Sequence, residues 1–217
     1  MNKINNQNLS FCGIYKFETN SKNYNVMSKV INQLWQKEYK NPTEFRIYES
    51  YTTPEETLKG IYTKIQVCAN DKYDNFIESC LKQKNIDFTR LSLQEVLDKE
   101  SIFNRIVLPK TMSNKKLVTL NTKKIEKLFK ESFTYISQNG NSGTIGDRYN
   151  GVKEFLSTGL DIEATTAHLF EYNGKLELEI TDGRHRFAVM RDMGLDKVKF
   201  ALDDNSIKLA KKYKLLA

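Results

Sequence analysis

Cysteine, proline and tryptophan are scarce in this sequence, with three, three and one residues among 217, and long apolar runs are missing. A membrane-spanning helix needs about 20 consecutive apolar residues, and no segment approaches that length. The opening MNKINNQNLS lacks the apolar core of a secretory signal. The sequence therefore predicts no membrane association and a cytoplasmic location.

The three cysteines, Cys12, Cys68 and Cys80, are odd in number and widely spaced among apolar neighbours. They form no CxxC pair of the kind that binds metals or carries out redox chemistry. Free cysteine commonly packs as a small apolar side chain. We therefore expect three buried thiols and no metal centre.

Positive charge exceeds negative charge, with 34 Lys and Arg against 27 Asp and Glu, a formal net charge of +7. An excess of this size suits a polyanionic partner such as a nucleic acid or a nucleotide. The lysines are nevertheless spread along the whole chain, and no dense basic run with interleaved aromatic residues is present. A compositional bias toward Lys and Asn is therefore an alternative explanation.

Apolar periodicity in the first half predicts strand, helix, strand, strand, helix and strand at 9–18, 24–39, 44–51, 60–69, 73–84 and 86–91. That order is typical of a ferredoxin-like βαββαβ domain. Ser92 and Glu95 have the spacing of a capping box, which predicts a further helix. Because this architecture carries many unrelated activities, the first half is interpreted as an accessory domain.

The periodicity lapses between Ile102 and Lys116, around Pro109. We place the domain boundary there, which gives an accessory domain at 1–108 and a second domain at 109–217. The predicted fold class is α+β, with an α/β second domain.

The second half begins with a short strand at 117–120 and a helix capped by Thr122. Asn173-Gly174 predicts a two-residue hairpin turn between strands at 165–172 and 175–181. A further helix is predicted at 148–157. The buried face of the helix after Thr122 is predicted to comprise Ile125, Leu128, Phe129 and Phe133.

The segment SQNGNSGTIGD, 137–147, is rich in Gly, Asn and Ser and has no apolar period. It is either a plain connector or a mobile lid over a ligand. As a lid, it would involve Gly143, Gly146 and the adjoining Arg148.

The second hairpin strand runs directly into Asp182-Gly183-Arg184-His185-Arg186, which opens a helix that ends at Gly194. Gly183 is placed at the start of that helix, where free amide groups and the positive end of the dipole attract anions. Arg184 and Arg186 add bidentate phosphate donors, and His185 adds a third donor. Cations at this position oppose the dipole by about 0.3–1 kcal/mol each. A bound polyphosphate would explain them; the alternative is a solvated basic turn that Asp182 partly offsets.

The order of strand, DGRHR box, helix and following strand resembles the ParB/sulfiredoxin superfamily, and the likeness extends over about 117–202. The corresponding box is GERR in chromosome-partition ParB, GCHR in sulfiredoxin and DGHHR in free serine kinases. The resemblance implies that Gly183, Arg184, His185 and Arg186 cradle the phosphates of ATP, ADP or CTP, with Mg²⁺.

Two departures from the family restrict the function that the resemblance implies. Arg184 stands where sulfiredoxin has its reactive cysteine, so reduction of a sulfinic acid lacks its nucleophile. The chain after residue 202 can form one short basic helix, and no helix-turn-helix of the ParB kind follows the box.

The first functional hypothesis is a kinase that transfers phosphate to a small hydroxyl substrate, as the free serine kinases do. The candidate catalytic residues are Asp182, Asp147 and His185, as base, metal ligand or proton shuttle. A second hypothesis is a non-catalytic nucleotide-binding or DNA-associated accessory protein of a plasmid or phage. A third is a ParB-like nuclease, against which the sequence shows no compact cluster of carboxylates.

Overall fold

The structure is a computed structural model that describes residues 13–20, 23–51, 54–112 and 114–217. The chain is a mixed α+β protein, which confirms the predicted class. It divides after Val96 into two compact units. Within the ranges described, no helix combines the length and apolar character that crossing a membrane requires.

The first unit contains one four-stranded sheet in the order β2-β3-β1-β4, with all neighbouring strands antiparallel. Cys12 and the start of the predicted first strand lie outside the described residues. The elements are β1 (Gly13–Asn20), α1 (Tyr24–Lys40), β2 (Phe45–Tyr51), α2 (Pro54–Leu58), β3 (Ile61–Ala69), α3 (Asp74–Lys82), β4 (Thr89–Ser92) and α4 (Leu93–Leu97).

Alternating strand residues supply two separate cores of the first unit, because successive side chains of a strand point to opposite faces. Tyr15 and Val67 belong to the larger core, whereas their neighbours Ile14 and Cys68 pack with Val96. Burial raises the pKa of Cys68 to about 12, so this thiol is a packing group, as predicted. Cys80 is only half-buried.

The predicted capping box at Ser92 is confirmed. The Glu95 amide donates to Ser92 Oγ at 3.2 Å, and the Ser92 amide donates to Glu95 Oε2 at 2.7 Å. This reciprocal pair satisfies two amides at the start of α4.

The second unit contains a mixed sheet in the order β6-β10-β8-β9 and a separate parallel pair, β5-β7. Strands β8 and β10 are parallel, and the other neighbours in the larger sheet are antiparallel. The elements are α5 (Lys99–Asn104), β5 (Ile106–Val107), β6 (Lys116–Asn121), α6 (Thr122–Glu131), α7 (Arg148–Ser157), β7 (Ile162–Glu163), β8 (Thr165–Tyr172), β9 (Lys175–Asp182), α8 (Arg184–Asp192), β10 (Lys197–Leu202) and α9 (Asp204–Lys212).

The division between the units falls earlier than the boundary predicted after residue 108. Ile102 and Ile106 are buried in the core of the second unit, and Arg105 donates to the carbonyls of Leu160 and Leu156 at 2.7 and 3.1 Å. Elements as short as α5 and β5 are too brief to produce a recognisable period. The segment therefore looked like a linker in sequence although it is part of the second fold.

Two predictions about α6 were wrong. Asn121, and not Thr122, caps the helix, because its side chain accepts the amide of Lys124 at 3.1 Å. Thr122 is buried as the first helical residue. Phe133 lies beyond the end of the helix at Glu131 and is 94% exposed, so it does not belong to the buried face.

Helix α8 is anchored by an aromatic stack. Phe187 contacts Phe129 of α6 and Phe200 of β10, with ring centroids 5.4 Å apart in both pairs. All three rings are fully buried, and burial of one such side chain stabilises a fold by about 1.5–3 kcal/mol. The stack fixes the start of α8 relative to the end of β9.

Candidate functional site

The turn between β9 and α8 has a constrained backbone. Gly183 precedes the helix with φ of 80°, in the left-handed region, which glycine adopts without the steric cost of a Cβ atom. The β8-β9 register shifts between Thr166 and Ala167, and such bulges redirect a strand end. Thr165 Oγ1 donates to the Gly183 carbonyl at 3.2 Å, which fixes the turn to the sheet.

The start of α8 offers amides to an anion. The helical pattern leaves the amides of Arg184, His185 and Arg186 without an intrahelical acceptor. No side chain caps the helix, and its first turn contains no acidic residue. The positive end of the dipole is therefore not offset by the helix's own side chains.

Arg184 and Arg186 have different partners. Arg184 Nη1 donates to the carbonyl of Thr134 at 3.4 Å, and within the described ranges no carboxylate pairs with it. Arg186 pairs with Asp182, and its Nη1 lies 3.7 Å from Glu163 Oε2. Its guanidinium also covers Gly183 so closely that a Cβ there would lie 2.7 Å from Nε. The two arginines therefore do not form one clamp, and of the two only Arg186 is paired with carboxylates of the described residues.

His185 is not the third cationic donor that the sequence suggested. The side chain is 8% exposed, and Nε2 accepts the amide of Ile145 at 3.4 Å, so this nitrogen carries no proton. Burial lowers the pKa of His185, and the charges of Arg184 and Arg148 lower it further. A neutral imidazole at neutral pH follows, and its role here is to hold the loop that contains Ile145.

The glycine-rich segment 137–147 is a loop with two antiparallel arms that are held together by backbone contacts. The Ser137 amide donates to the Ser142 carbonyl at 3.1 Å. A Cβ on Gly143, whose φ is 77°, would lie only 1.9 Å from the carbonyl oxygen of Tyr135. Since the Ile145 amide returns to His185, the loop leaves the start of α8 near Thr134 and comes back to it.

Asp147 and Arg148 lie where this loop meets α7. The Asp147 carboxylate accepts from Asn150 Nδ2 at 2.7 Å, and it is exposed. Arg148 is exposed and pairs with no carboxylate of the described residues, and its charge acts on His185. Of the candidate lid residues, Arg148 is thus the one that contributes positive charge to the α8 start.

A buried ion network at the other end of α8 was missed by sequence reasoning. Arg191, with a side chain 7% exposed, donates to Glu126 Oε2 at 3.0 Å and to the Ile136 carbonyl at 2.8 Å. Asp192 accepts from the Tyr149 hydroxyl at 2.5 Å and from the Asn139 amide at 2.9 Å. An Arg-Asp pair late in an apolar helix was the available signal.

Three buried polar atoms of residues around the start of α8 lack a hydrogen-bond partner within the described ranges: Thr144 Oγ1, Thr166 Oγ1 and Arg186 Nε. Thr144 precedes Ile145 in the loop, and Thr166 is the register partner of Asp182. An unsatisfied buried group costs about 1–3 kcal/mol. Such groups are expected where a bound ligand or water completes the structure.

No group of three or more His, Cys, Asp or Glu side chains in the described part of the chain could hold a metal ion. A separate open cleft of about 290 Å³ contains two lysines and two carboxylates, Lys99, Lys197, Glu100 and Asp196. Its charges balance, and it shares no residue with the turn at Gly183.

The comparisons with known proteins add no relative: no family model, no curated protein and no solved structure matches this chain.

Proposed function

We propose that the second unit is a ParB/sulfiredoxin-like domain that binds the phosphates of a nucleotide at the start of α8. The observation that carries the proposal is Arg184, a cation without a carboxylate partner in the described ranges, beside amides that lack acceptors. Arg148 adds a second uncompensated positive charge, and neutral His185 keeps the loop in place. An anion would satisfy these groups together.

The activity that we propose for this site is phosphate transfer from the nucleotide to a small hydroxyl substrate. Mg²⁺ brought with the nucleotide would neutralise charge on the phosphates. The base that we propose for the hydroxyl proton is Asp182, because it is the last residue of β9 and its side chain is 60% exposed.

The competing proposal is a nucleotide- or DNA-associated protein without turnover. The net charge of +7 favours this candidate, because a basic surface attracts nucleic-acid phosphates. For the first unit, we infer a ferredoxin-like accessory domain from its antiparallel order β2-β3-β1-β4.

Thermal shift and product analysis test the site and the activity together. We expect ATP, ADP or CTP to raise the Tm of the wild type, and the double variant Arg184→Ala/Arg186→Ala to lose that rise while still folding. Arg46→Ala serves as the control, because Arg46 is an exposed arginine of the first unit. Equal stabilisation of the double variant would remove the site assignment.

Turnover is read from the same samples with Mg²⁺ and free serine. A phosphorylated product supports the kinase, and binding without product supports the second candidate. Strongly salt-dependent DNA binding without nucleotide binding would overturn the nucleotide assignment.

A further inference from the structure

Two exposed apolar side chains lie in the loop 137–147 and in the turn just before it. Phe133 is 94% exposed and Ile145 is 52% exposed. Neither position gains much from folding, because the hydrophobic contribution scales with the apolar area removed from water. Exposed apolar surface next to a polar site is typical of a ligand or partner contact.

The two side chains belong to chain segments that contact each other at Ser137 and Tyr135. Ser137 pairs with Ser142, and Gly143 lies against the carbonyl of Tyr135. Phe133 lies two residues before Tyr135, in a turn closed by the bond from the Tyr135 amide to the Ser132 carbonyl at 3.0 Å. Ile145 lies two residues after Gly143.

Both residues lie in the chain beside groups that contact the start of α8. Phe133 directly precedes Thr134, whose carbonyl accepts from Arg184, and the Ile145 amide donates to His185. A ligand that fits both the cations and the apolar side chains has an anionic end and a flat apolar end. A nucleotide has both, with its phosphates for the arginines and its base for the two apolar side chains.

We propose that Phe133 and Ile145 form the platform for the base of the nucleotide, an inference that rests on the proposed phosphate site. Stacking of a base on an aromatic ring tolerates every base, because each has a π-face. The hydroxyls on either side of Phe133 in the chain, Ser132 Oγ and Thr134 Oγ1, bond to each other at 2.8 Å. The platform therefore binds ATP and CTP with affinities within about 5-fold of each other.

Calorimetric titration with ATP, CTP and inorganic tripolyphosphate tests the platform. We expect the wild type to bind ATP about 10-fold or more tightly than tripolyphosphate, the gain of one stacked base. Phe133→Ala should remove that difference and leave tripolyphosphate binding unchanged. The control is Tyr172→Ala, because Tyr172 is 61% exposed at the hairpin, at the far end of β9 from Asp182.

A second variant separates stacking from loop structure. Phe133→Trp keeps an aromatic face and should retain or improve ATP binding, with quenching of the introduced indole fluorescence. Loss of ATP binding in Phe133→Trp would overturn the platform.

The remaining outcomes distinguish failure of the base platform from failure of the phosphate site on which it depends. Equal wild-type affinities for tripolyphosphate and ATP would overturn the platform and leave the phosphate site standing. Absence of binding by either compound would overturn the proposed function itself. A single-stranded oligonucleotide that binds 10-fold more tightly than ATP would replace the mononucleotide with nucleic acid.

Discussion

Arg184 and Arg191, two turns apart on the same side of α8, donate to two carbonyls of the segment after α6, those of Thr134 and Ile136, at 3.4 and 2.8 Å. Residues seven apart on a helix lie within about 20° of the same direction. The two arginines differ in their surroundings, because Arg191 is buried with Glu126, whereas no carboxylate of the described residues pairs with Arg184. Arg191 holds the loop, and Arg184 is available to a ligand.

Arg191→Met should lower the free energy of unfolding by about 3–5 kcal/mol, since it leaves the carboxylate of Asp192 without its cation and Glu126 with only the pair to Lys130 at 4.0 Å. Chemical denaturation measures this loss. Arg46→Met is the matched control, because its ion pair is exposed and 3.9 Å long, and it should cost about 1 kcal/mol or less. Equal costs for the two variants would contradict a structural role of the network.

Gly143→Ala and Gly146→Ala should differ in cost. Both residues have positive φ, of 77° and 52°, but a Cβ on Gly143 meets the Tyr135 carbonyl at 1.9 Å, whereas one on Gly146 meets nothing within 4 Å. Gly146→Ala should cost about 1–2 kcal/mol, the penalty of the left-handed backbone. Gly143→Ala should cost more, because the two arms must separate. Urea denaturation compares them, and similar midpoints would count against the paired arms.

His185 should make the protein less stable as the pH is lowered. Burial and the charges of Arg184 and Arg148 lower its pKa below the ordinary value of 6.5, so the unfolded state takes up a proton first. The contribution of His185 is present above about pH 7.5 and declines as the pH falls below about 6.5. The wild type should therefore lose more unfolding free energy between pH 7.5 and 5.5 than His185→Gln does. A parallel loss in both proteins would argue against the neutral histidine.

Arg105→Met should lower the free energy of unfolding by about 1.5–3 kcal/mol for each hydrogen bond to a charged group that is lost. The guanidinium donates to the carbonyls of Leu160 and Leu156 near the end of α7. Burial lowers the pKa of Arg105 to about 10, so it remains charged at neutral pH. Arg105→Lys should recover part of the loss in the same denaturation measurement, and an undiminished Tm in Arg105→Met would refute the role.

The sequence predicted elements whose signals are local. The hairpin at Asn173-Gly174 forms with the expected partners, because the turn chemistry resides in two adjacent residues. The Ser92-Glu95 capping box and the start of α8 at Gly183 are equally local. In each case the side chains that decide the structure are neighbours in the chain.

Features set by distant residues were not predictable. Phe133 continues the apolar period of α6, but the helix ends at Glu131 and leaves the ring exposed. The partners of Arg186 include Glu163 of another strand, and those of Arg191 include Glu126 of another helix. Nothing in the sequence near the DGRHR box indicates which arginine is neutralised.

The loop 137–147 is hydrogen-bonded to both ends of α8, so each end can be monitored separately. The Asn139 amide is bound by Asp192 at the last turn, and the Ile145 amide is bound by His185 at the first. Hydrogen exchange at these two backbone positions would follow the opening of the corresponding helix end. A ligand that orders only the first turn would slow exchange at Ile145 and leave exchange at Asn139 unchanged. Exchange at these two amides therefore indicates at which end of α8 a molecule has bound.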